Sequence, residues 1–118
     1  MSVMFRRLLA VVFALSLLAG FAISLLPAPE GVSLAAGRDK LFHFAAFFGF
    51  ALFGFTVWPA RVPSVFALLL VYGLVIEIAQ SATRHRSGDI LDWIADACGV
   101  LAAFVLRTVW LRLRPSSA

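Results

Sequence analysis

The residues best suited to chemistry are polar groups placed inside segments that are otherwise apolar. Glu77 and Gln80 interrupt one apolar run, Asp92 and Asp96 interrupt the next, and His43 lies near the start of an earlier run. A desolvated carboxylate beside an imidazole can serve as a general acid or base, because its surroundings tune its pKa. We therefore predict four candidate catalytic residues: His43 and Glu77 as an acid–base pair, with Asp92 and Asp96 orienting the imidazole.

Basic side chains flank this polar set. Lys40 precedes His43 by three residues, and Arg84 and Arg86 lie between the two acidic runs. Ammonium and guanidinium groups bind phosphate and carboxylate through charge-assisted hydrogen bonds. We predict that Lys40, Gln80, Arg84 and Arg86 bind the polar headgroup of a substrate.

The predicted catalytic residues could instead hold a metal ion. His43, Glu77, Asp92 and Asp96 offer one imidazole and three carboxylates, which are ligands for Mg²⁺, Mn²⁺ or Zn²⁺. However, no His-x3-His pair is present, and Cys98 is the only cysteine. The sequence leaves a divalent cation open and indicates no other cofactor.

Four apolar runs must position these residues. They cover about residues 8–26, 41–58, 64–82 and 90–111. Each is close to the roughly 20 residues that a helix needs to cross the hydrocarbon core of a membrane. The chain is 63% hydrophobic, well above the range of soluble domains. We predict an all-α integral membrane four-helix bundle that forms a single domain over residues 1–118.

The order of the runs predicts where the polar groups meet. Successive spans run in opposite directions, so the start of the second, the end of the third and the start of the fourth lie in one leaflet. Within each run the polar residues recur at helical spacing, as in Asp39 and His43 or Asp89, Asp92 and Asp96, and therefore share a face. A charge in the centre of the membrane costs at least about 2.5–3.5 kcal/mol, so such groups pair, protonate or line water. We predict a polar cleft that opens at one membrane surface, with Asp89 capping the fourth helix.

Small residues predict close contacts between helices beneath this cleft. Ala95, Gly99 and Ala103 in the fourth run, and Ala45 and Gly49 in the second, have the spacing that lets helices approach closely. We interpret the seven phenylalanines of residues 41–58 as lipid-facing and core side chains rather than as a binding site.

The basic residues also predict the orientation. With four spans both chain ends lie on one side, which carries six of the ten lysines and arginines, while the other side carries four. The positive-inside rule then places both termini in the cytoplasm and the cleft in the outer leaflet. Arg6 and Arg7 before the first run also resemble the start of a secretory signal peptide. We favour a retained helix, because 19 apolar residues exceed the 7–15 of a typical signal.

Three motifs resemble the VanZ-like family of small integral membrane proteins. They are "DKLFHFAAFF", "GLVIEIAQ" and "RSGDILDWIADACG", which together extend over about residues 38–103. One position departs from the pattern, since Asp96 stands where the family is expected to have asparagine. The family takes its name from a protein linked to teicoplanin resistance in bacteria. The resemblance implies a protein of the bacterial inner membrane with a connection to the cell envelope, and it does not assign a reaction.

Several functions remain open at this point. The cleft could bind or modify an envelope lipid or a lipid-linked precursor and thereby affect glycopeptide susceptibility. It could also belong to a non-catalytic protein that binds an amphiphile or a partner, to a proton or ion pathway, or to a structural hydrogen-bond network. Whether the protein is an enzyme is undecided, as is its oligomeric state. The basic residues lie at the ends of apolar runs and form no basic face, so we expect membrane lipids and not nucleic acid as partners.

Overall fold

A computed structural model describes residues 1–27, 37–83 and 88–116 of the chain. This part contains four α-helices and a turn of 3₁₀-helix at Pro59–Arg61. The α-helices are α1 (Val3–Ser24), α2 (Arg38–Val57), α3 (Val62–Ser81) and α4 (Ile90–Leu113). All four are long and apolar enough to cross a membrane, and large apolar side chains cover their outer faces. The predicted all-α four-helix membrane bundle is confirmed, and the chain is a multi-pass membrane protein.

The helix ends follow from local chemistry. α1 begins at Val3 instead of near residue 8, because the hydroxyl of Ser2 accepts a hydrogen bond from the N–H of Phe5. Such an N-cap satisfies an amide that has no partner inside the helix. Asp89 caps α4 as predicted, since its Oδ1 accepts from the N–H of Leu91 at 2.9 Å. Pro63 lies in the first turn of α3, where its missing N–H costs no helical hydrogen bond.

α2 and α4 make the most extensive helix contact of the fold. Gly99 of α4 lies directly against the carbonyl oxygen of Phe44 in α2, so that a β-carbon at Gly99 would collide with backbone. Ala103, one turn further on, is completely buried. The predicted close contact along α4 is therefore confirmed. For α2 the prediction was wrong, because Ala45 and Gly49 are exposed.

Two other small residues of α2, Ala51 and Gly54, lie in the bundle interior. Ala51 is completely buried, and Gly54 lies against Val65 of α3 and the ring of Phe13 from α1. Phe13 packs edge-on against Phe53, with ring centroids 5.5 Å apart. The apolar core thus forms where three helices meet around a glycine.

α1 is attached more loosely than the other helices. Phe13 is its only fully buried residue. Among the described residues, α1 packs against α2 and α3 but not against α4. Two hydrogen bonds from α3 reach its backbone: the Tyr72 hydroxyl donates to the carbonyl of Leu17 at 2.6 Å, and the amide of Gln80 donates to the carbonyl of Ser24 at 2.8 Å. α1 is therefore a peripheral helix, held by the buried ring of Phe13, the partly buried Leu17 and Phe21, and two hydrogen bonds.

Candidate functional site

The predicted polar residues from three helices meet at one end of the bundle. α2 contributes His43 from its second turn, α3 contributes Glu77 from its last turns, and α4 contributes Asp92 and Asp96 from its first turns. The three carboxylates are buried, with 6%, 3% and 0% of Glu77, Asp92 and Asp96 exposed. The antiparallel order of the helices thus brings together the four residues that the sequence singles out.

The Nδ1 side of the His43 ring faces two carboxylates. Nδ1 lies 2.7 Å from Oδ1 of Asp96, which is a hydrogen-bond distance, and 3.9 Å from Oε1 of Glu77. Asp96 comes from α4 and Glu77 from α3, so side chains of α2, α3 and α4 meet at this nitrogen. The contact with Asp96 fixes the ring in one orientation.

The Nε2 side of the same ring faces two more carboxylates. Oδ1 of Asp39 and Oδ2 of Asp92 each lie 3.8 Å from Nε2. Asp39 precedes His43 by one helical turn, so its position follows from their i, i+4 spacing. A single imidazole therefore has a pair of carboxylates at each of its nitrogens.

Lys40 joins α2 to α4 at the edge of this cluster. Its Nζ donates to Oδ2 of Asp89 at 3.1 Å and to Oδ1 of Asp92 at 3.2 Å. Asp89 precedes α4, and the N–H of Leu91 together with Lys40 lowers the pKa of its carboxyl below the ordinary value of 3.8. Lys40 was predicted to bind a headgroup, and in the structure its charge is already balanced by two acids.

Two buried oxygens in the cluster have no hydrogen-bond partner in the described part of the chain. They are Oε1 of Glu77 and Oδ2 of Asp96. The other oxygen of Glu77, Oε2, accepts from the backbone N–H of Asp89 at 3.0 Å. Leaving a buried polar atom without a partner is costly, so each such atom calls for a physical explanation. Both oxygens belong to residues that surround Nδ1 of His43.

A glycine makes room for the Asp96 carboxylate. A β-carbon on Gly73 of α3 would lie only 2.8 Å from Oδ2 of Asp96 and 3.3 Å from the ring of Phe47. Gly73 lies one turn before Glu77 on the same face of α3. The close approach of α3 to this carboxylate therefore depends on the absence of a side chain at position 73.

An apolar groove leads away from His43 between α1, α2 and α3. Its volume is about 630 Å³, within the range of small-molecule sites. Asp39, His43 and Gln80 line its polar end; the remaining lining residues are Ser16, Ala19, Gly20, Ile23, Ser24, Phe42, Ala46, Phe47, Phe50, Tyr72 and Ile76. Ile23 and Phe42 on the rim are 63% and 60% exposed, so the groove opens toward the lipid. Three phenylalanines that we interpreted only as lipid-facing or core side chains line it.

Two of the predicted headgroup-binding residues cannot be compared with the structure, since Arg84 and Arg86 lie outside the described residues. Gln80 lies at the groove, but its amide nitrogen is already bonded to the carbonyl of Ser24. Its predicted substrate-binding role, like the catalytic roles of the cluster, stays a prediction.

The sequence-based reasoning missed three contributors to the site. It assigned no site role to Asp39, although the i, i+4 spacing to His43 indicated one. Tyr72 carried no signal, and Gly73 was noted only as the first residue of the motif "GLVIEIAQ", because their roles arise from the packing of α3 against α1 and α4.

The fold and the buried acidic cluster define a multi-pass helical membrane protein with a polar site near one surface. Residues 1–111 match the sequence profile of the VanZ/LLP1 family, so the chain belongs to that family. The match confirms the resemblance carried by the three motifs and extends it over α1. Neither the curated proteins nor the solved structures contain a match to this chain.

The arrangement is suited to two kinds of chemistry. A neutral imidazole offers one donor and one acceptor, and a carboxylate at hydrogen-bond distance can orient it for proton transfer. The same nitrogen and oxygen atoms are also ligands for divalent cations. His43 belongs to both the cluster and the groove, so either use would take place beside the polar end of the groove.

Proposed function

We propose that this protein binds an amphiphilic lipid or lipid-linked precursor of the bacterial cell envelope. The apolar chain of the ligand would lie in the groove between α1, α2 and α3, and its polar head would lie beside His43. The groove is the observation that carries the proposal, because it joins an apolar surface open to lipid with Asp39 and His43, the side of the polar cluster that reaches the groove. A soluble substrate would have no use for the apolar part.

The proposal includes a location and an orientation. The protein would lie in the bacterial inner membrane with both termini in the cytoplasm and the polar cluster in the outer leaflet. Six basic residues on the side of the termini, against four on the other, support this orientation. In the outer leaflet the site would meet envelope precursors after their transfer across the membrane, which is where glycopeptide antibiotics act. An effect on glycopeptide susceptibility is therefore part of the proposal.

Filling the groove tests the proposal directly. Ala45 and Ala46 are both exposed, but only Ala46 lines the groove. We expect Ala46→Trp to lower the amount of lipid that remains bound after detergent purification by about tenfold, and Ala45→Trp to leave it unchanged. Native mass spectrometry of the two variants and the wild-type protein would measure bound lipid. Equal retention in all three proteins would contradict the proposal.

A second candidate function is a reaction on the bound headgroup. The 2.7 Å contact between His43 and Asp96 favours it, because a carboxylate that orients an imidazole is a common arrangement for general-base catalysis. We expect Asp96→Asn to retain bound lipid but to lose the function of the protein in cells. In a strain whose glycopeptide resistance depends on this protein, replacing it with Asp96→Asn should make the cells susceptible. Full complementation by Asp96→Asn would leave only the binding function.

A further inference from the structure

We infer that Nδ1 of His43, Glu77 and Asp96 form a binding site for one divalent transition-metal ion, with Zn²⁺ as the best match. Suitable ligand atoms of the three residues all lie within 4.8 Å of one another. Bonds of about 2.0–2.2 Å place tetrahedral zinc ligands about 3.4 Å apart. That separation lies between the two seen here, 2.7 Å from Nδ1 to Asp96 and 3.9 Å from Nδ1 to Glu77.

The unpartnered oxygen of Glu77 points to an ion independently of these distances. Oε1 of Glu77 and Oδ2 of Asp96 are both buried and have no hydrogen-bond partner in the described ranges. Among these residues, His43 is also the only basic side chain that contacts Glu77 and Asp96. A divalent cation would supply the missing partner for the Glu77 oxygen and balance the charge of both acids.

The surroundings of the ring also suit a metal ligand. A histidine that binds a metal through one nitrogen usually donates from the other to a carboxylate, which fixes the tautomer. Here Asp39 and Asp92 lie 3.8 Å from Nε2, beyond hydrogen-bond distance but near enough to attract an N–H at that nitrogen. Those two acids form a second candidate set with His43, but neither contributes an unpartnered buried oxygen, so we place the ion at Nδ1.

The ion would decide which headgroup the groove accepts, a consequence that rests on the proposed function. The described polar end is acidic, and Lys40 is already paired with Asp89 and Asp92. A phosphate group would be repelled by this surface alone, whereas a bound divalent cation would attract it. The ion would also replace the proton shared between His43 and Asp96, so general-base catalysis at Nδ1 and metal binding exclude each other.

Equilibrium dialysis of the full-length protein in detergent tests the site. The protein is first treated with a chelator, the chelator is removed, and Zn²⁺ or Mg²⁺ is added. We expect one Zn²⁺ per chain and much weaker Mg²⁺ binding. Loss of a ligand should cost more than the 10- to 100-fold typical of a neighbouring group, so Glu77→Gln and Asp96→Asn should each weaken Zn²⁺ binding by about 100-fold or more.

Two control variants separate this site from its alternatives. Asp89→Asn lies nearby and can keep its N-cap, so it should bind Zn²⁺ like the wild-type protein. Asp39→Asn should lose about tenfold at most, since it would act only through the other ring nitrogen. A larger loss for Asp39→Asn than for Glu77→Gln would place the ion at Nε2 and overturn the inference. An equal loss for Asp89→Asn would indicate unspecific attraction and overturn it as well.

Thermal unfolding distinguishes variants that lose Zn²⁺ binding from variants that fail to fold. Zn²⁺ should raise the midpoint of the wild-type protein and leave that of Glu77→Gln unchanged, while both should unfold cooperatively without the ion. Absence of a Zn²⁺ effect on the wild-type protein, or binding of Mg²⁺ alone, would overturn the inference. The ion measurement uses no added lipid, so it is independent of the test of lipid binding. If the wild-type protein binds Zn²⁺ but Ala46→Trp retains as much lipid as the wild type, the proposed function is refuted and the metal site stands.

Discussion

The contact between α2 and α4 and the attachment of α1 represent two ways of packing helices in a membrane. At the first, Gly99 brings backbone against backbone, and the acids of both helices surround one imidazole. At the second, α1 contributes one fully buried ring, the partly buried Leu17 and Phe21, and two hydrogen bonds. In lipid, where apolar burial gives little drive for association, close packing and polar contacts decide which helices stay together. The rigid pair can hold a polar site, and the loose helix can leave room for a ligand.

The largest expected effect concerns the tightest point of the α2–α4 contact. Gly99→Ala should lower the free energy of unfolding in detergent by about 3 kcal/mol. Its β-carbon would clash with the carbonyl of Phe44, and this backbone atom cannot move unless the helix moves with it. Gly49→Ala is the matched control, since no atom lies within 4 Å of its β-carbon position. It should be neutral or stabilise by up to about 1 kcal/mol. Equal effects of the two variants, measured by denaturant titration, would contradict the close backbone contact of Gly99 with α2.

Gly73→Ala should have an intermediate effect and act on the polar cluster. The new methyl group would crowd Oδ2 of Asp96 and the ring of Phe47, at a cost of about 1–2 kcal/mol in the free energy of unfolding. The carboxylate is a side chain and can turn, so the loss should be smaller than for Gly99→Ala. Histidine NMR shifts should show a changed environment of His43. An unchanged His43 signal would mean that Asp96 does not depend on this space.

A substitution that weakens the attachment of α1 should have a smaller effect on the free energy of unfolding. Tyr72→Phe removes the hydrogen bond to the carbonyl of Leu17 and should cost about 1 kcal/mol. Hydrogen exchange should then rise in α1 while α2 and α4 keep their protection. Uniformly faster exchange in all helices would show that α1 unfolds together with α2 and α4.

The smallest effect is expected from pH. The pKa of Asp89 is lower in the folded protein than its ordinary value of 3.8, so its ionised form stabilises the fold above that value. This contribution disappears as the pH falls through the lowered pKa. The unfolding midpoints of the wild-type protein and Asp89→Asn should therefore differ by a constant amount between about pH 5 and 7 and converge below about pH 4. A difference that grew at acidic pH would show that the pKa of Asp89 is raised, not lowered, by folding.

Much of the fold was predictable because apolar length and proline position are local signals. Pro59 and Pro63 mark the turn between α2 and α3, and the alternating direction of the spans places His43, Glu77 and Asp92 at one end of the bundle. The grouping of the acids needed only helical spacing and the order of the helices.

What escaped prediction depends on how helix faces are turned. Ala45 and Gly49 have the four-residue spacing typical of close helix contacts, yet they are exposed, whereas Ala51 and Gly54, three residues apart, are buried. The groove exists because α1 contacts α3 through Tyr72 and Gln80 and stands away from α4. Such inter-helix geometry is set by contacts between distant residues, which a single sequence does not reveal.

The acids on both sides of the His43 ring differ in depth. Nε2 faces Asp39 and Asp92, which lie nearer the helix ends, while Nδ1 faces Asp96, one turn further along α4. One aromatic ring therefore connects carboxylates at two depths of the bundle, so that a change at the shallow acids and a change at the deep acids are both felt by the same side chain.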